Sequence, residues 1–491
     1  MKQMNINLPC EVKYIIQMLE TSGHKAYAVG GCVRDSVLGK EPKDWDICTS
    51  ALPEETKKCF EKSSGRIFET GLHHGTVSLL QNGKTFEITT FRTDGTYSDN
   101  RRPDTVNFIK DLKSDLSRRD FTINALAYHP KEGLIDYFGG TEDIKSKQIR
   151  CVGDADARFR EDALRIMRAL RFSSVLGFEI EKNTLEALVR NRKLLENIAA
   201  ERIHVELDGL LVGKNVKNVL TLHYKVIEII IPEIAALVGF DQKSRYHDLD
   251  VWSHTVKAVA NVEGARDNRI LKLTMLLHDI AKPECYTEKE GAGHFYGHPQ
   301  AGSEVARKIL NRLKYDKKTI KTITKLVQYH DTEIKPSAKA VRRWLNKLGI
   351  EQMQMLISVK AADASAKSSE RLMTQVKEIE EITRILDEVI KSGSCFSLKD
   401  LSVNGKDMID CGISEGAEVG KALQQLLELV IDEKLPNERE ALLHHVHTFS
   451  TVCTQFKHTT DKNQQKQRTL INPHESCSQI RHKSSKMQEK L

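Results

Sequence analysis

Residues 26–48 read AYAVGGCVRDSVLGKEPKDWDIC, and this stretch decides how the first part of the chain folds. Ala26–Val29 has strand composition, Gly30-Gly31 reads as a turn, Val33–Leu38 as a helix and Trp45–Cys48 as a second strand. Asp44 and Asp46 stand two apart, and strand spacing places both carboxylates on one face. Paired acids on one face suit a two-metal phosphoryl-transfer site, because Mg²⁺ takes oxygen ligands and phosphate supplies the rest. An isolated Asp-x-Asp reads more readily as two solvent-facing acids on an edge strand, and an isolated Gly-Gly as an ordinary turn. Here the two occur together. Gly31 lets the backbone approach a ligand closely, the helix start favours anions, and Arg34 is placed to reach phosphates.

Working outward, Val12–Leu19 is a short amphipathic helix, and Thr76–Leu80 and Thr85–Phe91 are strands joined at Asn82-Gly83, a hairpin signal. Glu87 alternates with apolar neighbours; it reads either as a third metal ligand from an adjacent strand or as a surface glutamate. In the segment from Asp115 to Ala127, Arg119 and Asp120 precede an apolar helix with Asn124 one turn on. Arginine suits a triphosphate, and aspartate or asparagine suits ribose hydroxyls; a capped, salt-bridged helix start reads equally well. From Arg158 to about residue 450 the pattern is almost wholly helical. Residues 160–172 (REDALRIMRALRF) read as one amphipathic helix, with Asp162, Arg165, Arg168 and Arg171 on one half and Leu164, Ile166, Met167 and Leu170 on the other. A basic solvated face over a buried stripe accounts for that pattern as well.

The composition narrows the class. The 491 residues carry 75 Lys+Arg against 68 Asp+Glu, a net +7, with 40% hydrophobic and 29% charged residues. That balance is globular rather than disordered or fibrous, and the length implies several domains. Residues 454–491 hold eight Lys/Arg and three Asp/Glu in a polar, aperiodic run that reads as a disordered basic tail. The rest of the chain is nearly neutral, so bulk charge decides little. The most apolar stretch, Val226–Phe240, is interrupted by Glu228, Pro232 and Glu233, which argues against a membrane span; the N-terminus lacks the apolar run of a secretory signal. Ten cysteines without a Cys-x-x-Cys pair point to a reducing, cytoplasmic setting.

Gly-Gly-x-Val-Arg-Asp, Asp-x-Asp, Arg-Arg-Asp-Phe-Thr-Ile-Asn-Ala and Glu161-Asp162-x-x-Arg165, in this order, resemble the class II tRNA nucleotidyltransferases. These are CCA-adding enzymes of the DNA polymerase beta superfamily, kin of bacterial poly(A) polymerases. The resemblance implies an α/β head with a mixed sheet, followed by an elongated all-α neck, body and tail. It implies that Asp44 and Asp46 bind catalytic Mg²⁺, Gly31 and Arg34 contact nucleotide phosphates, and Arg119 and Asp120 contact triphosphate and ribose. The implied partners are tRNA, CTP and ATP. It places Asp162 and Arg165 where the family reads the incoming base. Donor–acceptor chemistry suits that role: Asp162 only accepts and Arg165 only donates, matching the Watson–Crick edges of cytosine and adenine but not of uracil or guanine. Arg168 and Arg171 are then left to hold phosphate or brace the pair. The polar run from Thr93 to Asp104 corresponds to a flexible element of the relatives that add all three nucleotides, and Ala200–Glu206 to a segment that supports the neck.

In the body, His254, His278-Asp279 and Asp331 can converge on a divalent metal through imidazole and carboxylate ligands, with His298 a further candidate and His294 and His330 weaker ones. The set resembles HD-domain phosphohydrolases, which implies metal-dependent hydrolysis of phosphomonoesters or 2′,3′-cyclic phosphates. Gly405 and Gly416 start helices beside lysines, as a tRNA-gripping tail or as plain capping. The expected division is a head over 1–150, a neck over 151–240, an HD domain over 241–365, a helical tail over 366–453 and a disordered tail over 454–491. A poly(A) polymerase, or a hydrolase whose head only binds nucleotides, is the alternative function.

Overall fold

The computed structural model describes residues 5–448 apart from 62, 64, 70, 72–74, 96–104, 245–247 and 263–267. Most of the Thr93–Asp104 loop and the expected basic tail therefore lie outside the described residues. Contacts divide the chain into two units, Met1–Glu333 with Glu351–Glu380, and Ile334–Ile350 with Glu381–Leu491.

The first unit opens on a mixed sheet. Its strands are β1 (Ala26–Val29), β2 (Asp46–Thr49), β3 (Arg66–Phe68), β4 (Thr76–Gln81), β5 (Lys84–Thr90), β8 (Leu126–His129) and β9 (Gly133–Asp136), with β6 (Arg92–Asp94) and β7 (Val106–Phe108) forming a separate ribbon. The order is β3-β4-β5-β2-β1-β8-β9, antiparallel except for the parallel pair β2–β5. The β4–β5 hairpin turns on Asn82 and Gly83, both at positive φ, as a tight two-residue turn requires. Every residue of β1 and β8 is buried, because the sheet is covered here on both faces. On one side Tyr27, Val29, Cys48, Phe91, Leu116 and Ala127 form a core cluster; the helix Cys10–Thr21 buries Val12, Ile15, Ile16 and Leu19. The helix expected after Asp120 is instead a single 3-10 turn, Thr122–Asn124, followed by strand β8. Apolar Ala-Leu-Ala-Tyr is ambiguous between buried helix and buried strand, and pairing with β1 and β9 resolves it.

The neck is helical, with one correction. The stretch from Arg160 to Phe172 is two helices, Ala155–Glu161 and Leu164–Leu176, broken where Asp162 takes an extended backbone (φ −136°, ψ 100°). The buried stripe is as expected: Ile166, Met167, Ala169 and Leu170 are fully buried. The following helix Ala200–Leu211 packs against Leu164–Leu176. It comes close at Gly209, where a Cβ would lie 2.5 Å from Arg171 Cδ. The body packs the helices Val251–Ala260, Asn268–Leu277, His298–Arg312, Lys317–Tyr329 and Ile350–Ala366, with a small hairpin, Thr287–Lys289 and Ala292–His294, that the helical pattern did not announce.

The second unit has its own core of Leu401, Val403, Met408, Leu426, Leu427, Ile431 and Leu442. Gly405 and Gly416 do stand at helix starts; Asn404 caps Gly405–Asp410 through a reciprocal box with Asp407, whose carboxylate also takes Arg439 at 2.6 Å.

Candidate functional site

Two clusters of chemistry-bearing side chains stand in the first unit. The first lies on the sheet. Asp44 precedes β2 in a bend, Trp45 is buried beneath, and Asp46 opens the strand, so the two acids face the same, outer side as their spacing implied. The parallel register places Asp46 directly beside Glu87 of β5. Asp46 reaches solvent at the sheet face, yet partial desolvation there raises its carboxyl above its ordinary value; Arg119 opposes this, and the charges of Glu87 and Asp44 add to it. Three oxygen-bearing acids that repel one another are a donor set that fits Mg²⁺, and the fit rests on this chemistry and on the raised Asp46.

Beside the acids, Gly30 holds a left-handed backbone (φ 84°) that favours glycine, and a Cβ there would lie 3.0 Å from Arg119 Nη1. Gly31 begins the helix Gly31–Val37. Arg34 on that helix donates to Asn124 Oδ1 at 2.6 Å, and Asn124 Nδ2 donates to Asp120 Oδ1 at 3.1 Å. Asp120 takes Arg168 at 2.7 Å on its other oxygen, and Arg168 and Arg171 both reach Glu206, at 3.7 and 2.5 Å. Burial alone would raise the Asp120 carboxyl, but Arg168, Asn124 and Arg165 outweigh it and hold it below its ordinary value. Arg34, Asn124 and Asp120 thus form one hydrogen-bonded chain, with Arg119 Nη1 beside Gly30. Arg168 and Arg171 brace carboxylates rather than standing free.

The backbone N–H of Arg165 donates to the Asp162 carbonyl at 3.0 Å, while each side chain holds another partner. Asp162, in the break between the helices, holds Arg202 at 2.8 Å; the buried Arg165 holds Glu161 at 2.6 Å and donates to the backbone oxygens of Arg158 and Arg118. Glu161, Arg202 and Glu206 were visible only as parts of matched segments, since nothing in their spacing marks them as partners.

The second cluster fills the body. His254, His278 and Asp279 converge, fully buried, and His298 and His330 approach Asp279 from the other side. Asp279 Oδ2 lies 3.5 and 3.1 Å from Nε2 of His254 and His278, and Oδ1 lies 3.5 and 3.6 Å from Nε2 of His298 and His330. Nδ1 of His278, His298 and His330 each lies 2.7–2.8 Å from a backbone carbonyl three residues earlier. An Nδ1–H donated to that carbonyl leaves Nε2 with a lone pair aimed at the cluster, the arrangement a metal-ligating imidazole requires. Of the buried Asp279, Oδ2 takes the Lys282 ammonium at 2.8 Å, which leaves Oδ1, without a hydrogen-bond partner among the described residues, as the oxygen that fits a cation. Asp331 does not join. It is exposed, because its position just past the helix Lys317–Tyr329 turns it outward while His330 turns in, although it lines the same cavity of about 660 Å³ as Asp279, His298, His330 and Asp363. Its expected place is taken by Asp363, 3.0 Å from His254 and 3.6 Å from His278. Asp363 sits in an Ala-rich helix with no motif around it, so sequence gave no signal for it. Lys282 and Lys367 stand 2.8 and 2.6 Å from Asp279 and Asp363. Burial disfavours charge on His278, but Asp279 and Asp363 outweigh it and push it up to about 9, so a metal would have to displace a proton from its Nε2; burial would raise Asp279, but His278 and Lys282 hold it well below the carboxylate range.

Three family models match the chain: the poly A polymerase head domain over residues 26–150, the probable RNA and SrmB-binding site of polymerase A over 177–237, and a putative tRNA nucleotidyltransferase domain 2 over 298–446. The CCA-adding enzyme of Ligilactobacillus salivarius is 52% identical over 215 residues, 43% of this chain; in that match the chain spans about half of the relative, 52% of its length. The CCA-adding enzyme of Levilactobacillus brevis is 34% identical over 431 residues, 87% of this chain and 95% of its own. Among solved structures, the Bacillus stearothermophilus CCA-adding enzyme in complex with CTP is 30% identical with a TM-score of 0.66, covering 92% of this chain and 98% of that one. Similarity at that identity over nearly the whole of a curated relative settles the kinship: the chain belongs to the family of CCA-adding enzymes.

Proposed function

We propose that the chain adds C, C and A, from CTP and ATP, to the 3′ end of tRNA with release of pyrophosphate, and that no nucleic-acid template directs it. The observation that carries this reading is the register of β2 against β5. It sets Asp46 beside Glu87, with Asp44 on the same face and the Arg34–Asn124–Asp120–Arg168 chain nearby. Asp44, Asp46 and Glu87 would hold Mg²⁺, which when bound activates the attacking 3′-hydroxyl and neutralises charge on the leaving pyrophosphate. Gly31, Arg34 and Arg119 bind the triphosphate; Asp120 and Asn124 orient the ribose. Asp162 accepts from the exocyclic amino group of C or A while it stays on Arg202. Arg165 turns one guanidinium edge from Glu161 to donate to the ring nitrogen. Uracil and guanine would leave these groups unpaired, at about 1–3 kcal/mol each. Among the described residues no helix is long and apolar enough to cross a membrane, and a cytoplasmic enzyme fits the reading.

The test is a tRNA transcript lacking CCA, incubated with CTP, ATP or both. The reading expects two additions with CTP alone and three with both. No extension refutes it, and repeated addition from ATP alone indicates a poly(A) polymerase instead.

The body supports a second reading. Its paired groups, His254-His278-Asp279 and Asp279-His298-His330, would hold a divalent metal, with Asp363 beside the first. Such a centre lowers the pKa of bound water and suits hydrolysis of phosphomonoesters or 2′,3′-cyclic phosphates. The full chain loaded with Ni²⁺, Mn²⁺ or Mg²⁺ should then cleave 2′,3′-cyclic AMP. Failure with all three leaves the cluster a structural one.

A further inference from the structure

Three guanidinium groups surround one aromatic ring. Cζ of Arg34, Arg168 and Arg171 lies 5.2, 5.3 and 4.3 Å from the centroid of Phe172. Arg34 comes from the helix that follows the head's glycine turn; the other two come from the neck, within a turn of Phe172 itself. The ring is buried at 6% exposure and packs edge to face on Phe121, centroids 5.8 Å apart, so it is fixed between head and neck. Gly209 completes the clamp, since any side chain there would displace Arg171.

Three like charges this close repel unless something holds them. Asp35, Asp120 and Glu206 each take one or two of the guanidiniums from the edge, at 2.5–3.7 Å. The ring is the only partner that all three share in these contacts. A guanidinium over a ring is attracted by the ring's negative face and leaves its N–H edge to point outward, here at Asp35, Asp120, Glu206 and Asn124. An aliphatic side chain of the same volume would fill the space without that attraction or that orientation.

We infer that Phe172 is a positioning residue for the incoming nucleotide: the juxtaposition of Arg34, Arg168 and Arg171 on its ring fixes the head's phosphate-reaching arginine and, through Arg168, the ribose-facing Asp120. The inference rests on the nucleotide-addition reading of the head. Sequence alone does not announce it, because Phe172 reads as one more apolar position at the end of a buried stripe.

Steady-state kinetics of CTP and ATP addition, with melting temperatures alongside, would test it in Phe172→Met, Phe172→Leu and Phe172→Tyr. Met and Leu should raise KM for both nucleotides about tenfold, with kcat changed less than about threefold, while Tyr, which keeps a π face, stays within about twofold of wild type. A purely structural role would lower the melting temperature and leave KM in place, and a folded Met or Leu variant with wild-type KM overturns the inference. If neither aliphatic variant folds, the Tyr variant decides: wild-type KM upholds the inference and a tenfold rise overturns it. A wild-type chain that extends no tRNA refutes the underlying reading instead, so the two failures are distinguishable.

Discussion

The sheet site and the body cluster both gather acids, and they treat them in opposite ways. In the head, Asp44, Asp46 and Glu87 face outward on adjacent strands, and mutual repulsion helps push Asp46 up. In the body, Asp279 and Asp363 are buried, each with a lysine within 2.8 Å, and both are held well below the carboxylate range, burial notwithstanding. An open set, opposed only in part by Arg119, suits a cation that arrives with a substrate's phosphates, since Mg²⁺ is commonly bound by one or two carboxylates plus phosphate. A closed set with preoriented imidazoles suits a resident ion. On the proposed reading, burial rather than the number of acids distinguishes the two sites.

The largest effect expected bears on the open set. Asp44→Ala combined with Asp46→Ala should lower nucleotide addition on the order of 10³-fold or more, measured as single-turnover extension, since charge stabilisation at the reacting phosphate is lost. If extension persists within tenfold, the outward-facing acids are not the catalytic ones. Next comes base choice. Asp162→Ala should erode discrimination against UTP and GTP about tenfold or more while slowing CTP addition less. Its structural counterpart, Arg202→Ala, leaves Asp162 without its brace and should move discrimination in the same direction by a smaller factor. Unchanged discrimination in Asp162→Ala would remove the side-chain template from the account.

The smallest effect is on stability. Asp120 has a folded-state pKa below its unfolded value, so its contribution is fully present above the unfolded value near 4 and is lost as pH falls through the folded one. The melting-temperature gap between wild type and Asp120→Asn should therefore be a few degrees at pH 6 and shrink as the pH drops from about 5 toward 3. A gap that widens on acidification would contradict the direction assigned to Asp120.

Much of the head was legible because its signals are local. Alternation placed Asp44 and Asp46 on one face around buried Trp45, and Asn82-Gly83 marked the hairpin of β4 and β5; the parallel pairing of β5 with β2, which sets Glu87 beside Asp46, is a tertiary contact with no local signal. Periodicity misled where local patterns are ambiguous. Residues 160–172 fit a helical wheel throughout, yet the backbone leaves the helix at Asp162, whose carboxylate caps the next turn through Leu164 N at 3.2 Å and takes Arg202. In the body, the His-Asp pair was visible but its partners were not. Which of His330 and Asp331 turns inward depends on one residue of helical phase, and Asp363 reaches the cluster only through tertiary packing. Sequence spacing finds ligands that share an element and misses those brought together by folding.

The separation of the two clusters is tested most directly by placing Asp46→Asn and Asp279→Asn side by side in the full-length chain, scoring CTP addition to tRNA lacking CCA and bound divalent metal after dialysis. The account predicts that Asp46→Asn loses addition and keeps the dialysis-resistant metal, whereas Asp279→Asn loses that metal and adds CTP within about twofold of wild type. Loss of CTP addition in a folded Asp279→Asn variant, or its retention in Asp46→Asn, would contradict it.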